Sequence, residues 1–168
     1  MRLPFFRSRP SRTAHTLLRH IGKANHPIPP PPPQPRELID VVGIGRTETV
    51  GGVALTLLSL ERYREGQIAL FRLLRARGLF EREFPSPRLE LSVMPEGTVP
   101  YRFWMSGGGG GGMVELEFRH SYVIVPAPPS DSGETIIEVR AISWERYSAG
   151  TYKVVSVDTG PWRFTIKR

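Results

Sequence analysis

The stretch VELEFR, residues 114–119, decides the fold class because apolar and charged residues alternate strictly along it. The apolar members are Val114, Leu116 and Phe118, and the acidic members between them are Glu115 and Glu117. A period of two residues is that of a β-strand with one buried face and one solvated face. We therefore expect the apolar side chains of this stretch to point into a core and the two carboxylates to point to solvent.

The same alternation recurs on both sides of this stretch. Residues 89–93 (LELSV) and residues 162–166 (WRFTI) each place three apolar residues on one face. Val53–Tyr63 predicts a strand with Val53, Leu55, Leu57 and Ser59 on one face. Residues 67–75 (QIALFRLLR) are apolar on both faces, which favours a strand in the middle of a sheet or beneath the N-terminal segment.

Turn signals separate these stretches at intervals of about 8–15 residues. Gly51-Gly52 predicts a tight hairpin between strands over residues 41–50 and 53–63. Further strands are expected at residues 99–104, 135–147, 152–157 and 162–166. The alternation slips between Ala141 and Trp144, which indicates a bulge, and six glycines at residues 107–112 predict a flexible loop. Seven to nine short strands predict an all-β, antiparallel β-sandwich.

Composition limits what else the chain contains. Among 168 residues there is no cysteine, which excludes disulfides and thiolate metal sites, and no apolar run approaches the roughly 18 residues of a membrane-spanning helix. No signal peptide is seen, so a cytoplasmic location is favoured. Arginine outnumbers lysine 20 to 3, a bias that fits either a thermophile or a bacterial genome of high GC content.

The net charge of +7 lies entirely in the first 36 residues, because residues 37–168 carry 16 basic and 16 acidic groups. We divide the chain into a basic, disordered arm (residues 1–26) with a short candidate helix, a polyproline spacer (residues 27–36) and a β-sandwich domain (residues 37–168). An anionic partner would contact the arm at Arg2, Arg7, Arg9, Arg12, Arg19 and Lys23.

Three phrases of the sequence resemble a known class of domain. They are VGGVALTLLSLERYREGQIALFRLL at residues 50–74, the pairing of LELSV with VELEFRHSYVI, and the terminal GPWRFTIKR. Together they resemble uncharacterised bacterial immunoglobulin-like sandwich domains over about residues 40–168. The resemblance implies an immunoglobulin-like fold and carries over no catalytic residue. The Cys…Trp…Cys core of antibody domains is not present in this sequence.

The motifs that carry chemistry are weak. Gly43 and Gly45 begin like a dinucleotide fingerprint, but Glu48 stands where the third glycine belongs and a strand follows. The glycine run has no Lys-Ser or Lys-Thr after it, so it is not a phosphate-binding loop. His120 stands alone in a strand, and no G-x-S-x-G elbow accompanies it. We assign no catalytic residue, no cofactor and no metal site, and we expect the protein not to be an enzyme.

The aromatic residues before the glycine run are a candidate binding rim, formed by Tyr101, Phe103 and Trp104. Aromatic side chains beside a loop stack on sugars or peptides, although the same residues also fit a core. Three hypotheses follow: a non-catalytic binding or structural module of unknown partner, docking on nucleic acid or another anionic surface through the basic arm, and a small hydrolase or carbohydrate-active domain.

Overall fold

The computed structural model describes residues 35–76, 85–97, 99–112, 115–129, 133–148 and 151–167. These residues form eight β-strands: β1 (Leu38–Val50), β2 (Val53–Tyr63), β3 (Gln67–Ala76), β4 (Ser86–Met94), β5 (Arg102–Gly111), β6 (Glu115–Val125), β7 (Glu134–Ser148) and β8 (Thr151–Lys167). The predicted arm and its candidate helix lie outside the described residues, as does Val114.

The strands form two sheets in which all neighbours are antiparallel. One sheet has five strands in the order β1-β2-β3-β6-β5, and the other has three in the order β4-β7-β8. The prediction of an all-β sandwich with seven to nine strands is therefore confirmed. No helix among the described residues is long and apolar enough to cross a membrane.

The first hairpin forms where the sequence predicts it. Gly51 and Gly52 connect β1 to β2 with φ angles of 59° and 83°, a region that glycine enters without a steric penalty. The register of β2 against β3 shifts between Leu57 and Ser59. Because of that shift Leu60 takes the next buried position, and the expectation that Ser59 shares the inner face is wrong.

The strand that is apolar on both faces lies at the centre of the larger sheet. β3 pairs with β2 on one side and with β6 on the other. Leu116 and Phe118 of β6 are buried and Glu115 is exposed, as the alternation predicts. Glu117 is half-buried at the sheet surface, where Arg72 of β3 donates two hydrogen bonds of 3.0 Å to its carboxylate.

The end of the chain differs from the prediction. Two separate strands were expected at residues 152–157 and 162–166, but β8 is one strand that pairs with β7 along its length. Register shifts absorb the irregular segment around Gly160 and Pro161, so the chain stays in the sheet. The sequence predicts the bulge of β7 between Ala141 and Trp144, whereas both ladders skip Arg140, which lies just before that segment.

Aromatic side chains fill the space between the sheets. The largest fully buried side chains are those of Trp144, Trp162, Phe71 and Phe164. The ring centroids of Phe71 and Phe164 are 6.0 Å apart, and those of Phe118 and Trp144 are 5.8 Å apart, so rings from the two sheets contact directly. The prediction that Trp144 and Trp162 belong to the core is confirmed.

The glycine run is the main correction. Gly107–Gly111 are not a loop but the second half of β5, paired with Ser121 to Glu117 of β6. Glycine composition favours a loop because glycine loses the most entropy on ordering. The neighbouring strand overrides that preference here, because β6 supplies a partner residue for each glycine, and its His120 and Phe118 rings lie beneath Gly108 and Gly110.

Candidate functional site

The structure separates the three residues of the predicted rim. Tyr101 and Phe103 pack against the core on the inner side, and the hydroxyl of Tyr101 donates a hydrogen bond of 3.1 Å to the carbonyl oxygen of Pro95. Trp104 lies on the other face of β5, directly across from Val123. All three are half-buried. Two of the residues therefore share one surface, and the third covers the outside of the sheet.

A groove opens between β4, the turn that follows it, and the beginning of β5. Its volume is about 360 Å³, and its apolar wall is made by Leu91, Val93, Tyr101 and Phe103. Glu96 and Arg140 also line it and supply one charge of each sign. The groove therefore offers apolar, aromatic and charged surface together.

The glycine strand continues from this groove along the same edge of the sheet. Gly108 and Gly110 face inward, where His120 and Phe118 lie across from them. An ideal Cβ on Gly108 would lie 2.5 Å from Nδ1 of His120, and one on Gly110 would lie 2.5 Å from Cδ1 of Phe118. At Gly109, which faces outward, nothing lies within 4 Å. Glycine is therefore required on the inner face, and the outer face of the strand is open.

His120 is buried beneath the glycine strand. Its side chain is 6% exposed, its Nδ1 lies 3.0 Å from Sδ of Met105, and its Nε2 has no hydrogen-bond partner. Burial lowers the pKa of His120 below its usual value. The ring is neutral at neutral pH. Among the residues that the structure describes, no carboxylate or hydroxyl group is hydrogen-bonded to this ring.

The acidic groups near the middle of the sheets are held by arginine. Glu138 is 8% exposed, and its carboxylate receives Nε–H of Arg163 at 2.5 Å and lies 3.5 Å from Nε of Arg140. Glu117 lies between Arg72 and Arg119, and the bond from Arg72 lowers its pKa. The contacts of Glu117 are surface ion pairs of modest value. The Glu138 carboxylate is buried, so the loss of its arginine partners would leave a buried charge uncompensated. Within the described ranges, no three or more acidic or histidine side chains form a group able to hold a metal ion.

The residues predicted to contact an anionic partner lie outside the described residues. The edge formed by Gly107–Gly111 was not predicted from the sequence. The signal that was present is the position of the run, which follows a strand at residues 99–104 and precedes the strongly alternating stretch at residues 114–119. A short connection between two strands predicts a hairpin, and the run is its first arm.

Comparison with solved structures supports the fold. The chain is similar to the crystal structure of the conserved domain protein from Bacillus anthracis, with a TM-score of 0.53 and 13% sequence identity. The similarity covers 76% of this chain and 48% of that chain, so the chain spans about half the length of that protein. At this identity the similarity shows the fold alone. No protein-family model matches the chain, and no curated protein matches it.

Proposed function

We propose that the body of this chain is a non-catalytic immunoglobulin-like sandwich that binds a protein partner on its β4–β5 side. The strand order supports the class of domain. With β1 set aside, the sheets are β2-β3-β6-β5 and β4-β7-β8. Numbered from β2, this is the order A-B-E-D and C-F-G of the immunoglobulin constant type. β1 is then an added N-terminal strand that pairs with the first strand of that pattern.

The groove between β4 and β5 is the observation that carries the binding role. Tyr101 and Phe103 present aromatic surface in a concavity, and aromatic side chains contribute strongly to protein interfaces. The groove runs directly into the uncharged glycine strand. A partner in this position contacts an apolar anchor site and a polar backbone edge together.

A selection experiment tests this role. A random 12-residue peptide library is panned on the full chain, and enriched peptides are titrated by fluorescence anisotropy. We expect Tyr101→Ala to weaken binding at least tenfold. Tyr147→Ala is the matched control, because Tyr147 is 63% exposed at the tip of the β7–β8 hairpin, away from the lining of the groove. Equal binding by both variants, or no enrichment at all, contradicts the proposal.

The uneven charge supports a second function, attachment to an anionic surface through the arm. All seven excess positive charges belong to residues 1–36. A segment rich in basic residues attracts nucleic acid or another polyanion without needing a shaped site. Its signature is a steep salt dependence that disappears when the segment is removed.

A further inference from the structure

Three of the four edge strands in this sandwich carry a feature that interferes with pairing to another chain. The edges are β1 and β5 in the larger sheet and β4 and β8 in the smaller one. Edge strands expose unpaired N–H and C=O groups, which natural proteins cover or interrupt. The four edges differ in how far these groups are covered or interrupted.

Each of the other three edges, β1, β8 and β4, carries a contact or a residue that interferes with pairing at one point. Arg46 of β1 donates a hydrogen bond of 3.0 Å to the carbonyl oxygen of Thr165 in β8, so these two edges are joined across the sandwich. Leu89 of β4 donates its N–H to the hydroxyl oxygen of Tyr122 at 2.9 Å, which removes a free donor. Pro87, also in β4, has no N–H to offer.

The second half of β5 carries no contact or residue of this kind. Gly107–Gly111 carry no charge, no proline and no side chain, and β5 is the last strand in its sheet. In an antiparallel ladder every second residue points its N–H and C=O away from the neighbouring strand. These groups form an open backbone edge about five residues long in the described part of the chain.

We propose that this edge binds an extended segment of another protein, which adds to the larger sheet as a sixth strand. The inference rests on the proposed function and specifies how the partner binds. The bound segment is uncharged at its centre and alternates large apolar with polar residues. Phe118 and His120 show why large residues fit, since their rings occupy the space that Gly110 and Gly108 leave empty on the inner face. A large side chain across from a glycine stabilises a sheet in this way.

A second copy of the chain that presents the same glycine strand fits this edge poorly. Two glycine strands paired with each other bring no side-chain area into contact, whereas stable interfaces bury roughly 1,200 Å² or more. A strand with valine, isoleucine or aromatic residues opposite Gly109 and Gly111 covers the outer face, where nothing lies within 4 Å of either ideal Cβ. Its end also reaches the groove beside Phe103, in the first half of the same strand.

The protein side of the test uses two glycine-to-lysine variants of the full chain. Gly109→Lys places a charge on the proposed edge, and Gly43→Lys places one on β1, at the opposite edge. Neither position has a left-handed φ, and a Cβ at either has open space around it. Both variants are expected to melt near the wild-type temperature, measured by circular dichroism. We expect Gly109→Lys to weaken peptide binding at least tenfold and Gly43→Lys to leave it unchanged.

The peptide side uses an acetylated and amidated octapeptide in which three valine–threonine pairs are flanked by lysines. We expect saturable binding at about 1 mM or tighter. Two isomers of it are N-methylated, one on the valine amides and one on the threonine amides. Because the amides of a strand point alternately to its two edges, one isomer is expected to lose binding and the other to keep it.

The remaining outcomes are decisive. Equal binding by the two isomers, no binding of the octapeptide, or full binding by Gly109→Lys overturns strand addition. A wild-type dimer in sedimentation that Gly109→Lys dissociates assigns the edge to a second copy and overturns the proposed partner. If the binding of library peptides depends on Tyr101 but not on Gly109, the groove binds the partner. In that case only the proposed strand addition is contradicted.

Discussion

Trp162 donates its indole N–H to the carbonyl oxygen of Val53 at 3.1 Å, and the two residues are 109 positions apart in the chain. Trp162 belongs to β8 in the smaller sheet, and Val53 begins β2 in the larger one. The bond satisfies the polar group of a side chain that is fully buried. It also fixes the start of β2, just after the Gly51-Gly52 turn, to the last strand.

Trp162→Phe tests this link. The change removes the donor, leaves a cavity and deprives the Val53 carbonyl of one partner, so we expect a loss of about 2–4 kcal/mol in the free energy of unfolding. Urea denaturation followed by circular dichroism measures it. Trp104→Phe is the control, since Trp104 is only half-buried, and it is expected to cost about 1 kcal/mol or less. Equal losses in the two variants would show that the Trp162 bond contributes nothing.

The inner and outer glycines of β5 give a second test. A Cβ on Gly110 would collide with the carbonyl oxygen of Glu117 and lie 2.5 Å from the Phe118 ring, whereas a Cβ on Gly109 meets nothing. We expect Gly110→Ala to destabilise the fold by about 1–3 kcal/mol. Gly109→Ala is expected to be neutral or to add up to about 1 kcal/mol by restricting the unfolded chain. Thermal denaturation measures both, and a neutral Gly110→Ala argues against the close packing of β5 on β6.

Strand positions were largely predictable wherever alternation or a turn signal was strong. Val53–Tyr63 has the predicted bounds, and Leu89, Leu91 and Val93 face the core as expected. Alternation shows which side chains lie on the same face of a strand, and a few consecutive residues are enough to show it. The shift that buries Leu60 in place of Ser59 was not predictable, because a bulge depends on the register of the neighbouring strand.

The candidate site was only partly predictable. The sequence predicts one rim of Tyr101, Phe103 and Trp104, but the separation of Trp104 from the other two depends on which face of β5 each residue occupies. The glycine strand was interpreted as a loop because composition reports local preference alone. Its pairing with residues 117–121 is a long-range property, and so is the open edge that it creates.

His120 predicts a pH dependence of stability. Its pKa in the folded protein lies below the ordinary value of 6.5 because the ring is buried. Between these two values the unfolded chain binds more protons than the folded one, so stability falls as pH drops below 6.5. Above that value both forms are neutral at this residue and it contributes no slope.

The measurement compares wild type with His120→Leu by urea denaturation from pH 8 down to pH 5, above the range where most carboxylates titrate. The difference in unfolding free energy between the two proteins is expected to be constant above pH 7 and to change in favour of the leucine variant as the pH falls. A difference that stays constant throughout would mean that the imidazole is accessible to protons in the folded state.

Removal of residues 1–36 tests the division of the chain and the role of its charge together. Glu37 is the first residue of the remaining segment, and it already contacts Arg64, whose N–H donates to the Glu37 carbonyl at 3.0 Å. The contact from the Arg36 N–H to the carboxylate of Glu65 is long, at 3.4 Å, and exposed, so its loss costs little. We therefore expect the melting temperature to change by only a few degrees. Unfolding of the shortened chain would show that the removed residues belong to the core.

The full chain and the shortened chain also test whether charge, and not a shaped site, governs binding to a polyanion. Residues 1–36 carry seven basic groups and no acidic one, while residues 37–168 are balanced at 16 of each sign. Binding of these basic groups to phosphates releases counterions, so the affinity of the full chain for duplex DNA should fall steeply with salt, along a log–log slope no steeper than about −6. The shortened chain should bind weakly, with a slope near zero. If it binds as tightly as the full chain, the determinant lies on the sandwich and not on the basic segment. Fluorescence anisotropy on a labelled duplex at several salt concentrations measures both slopes.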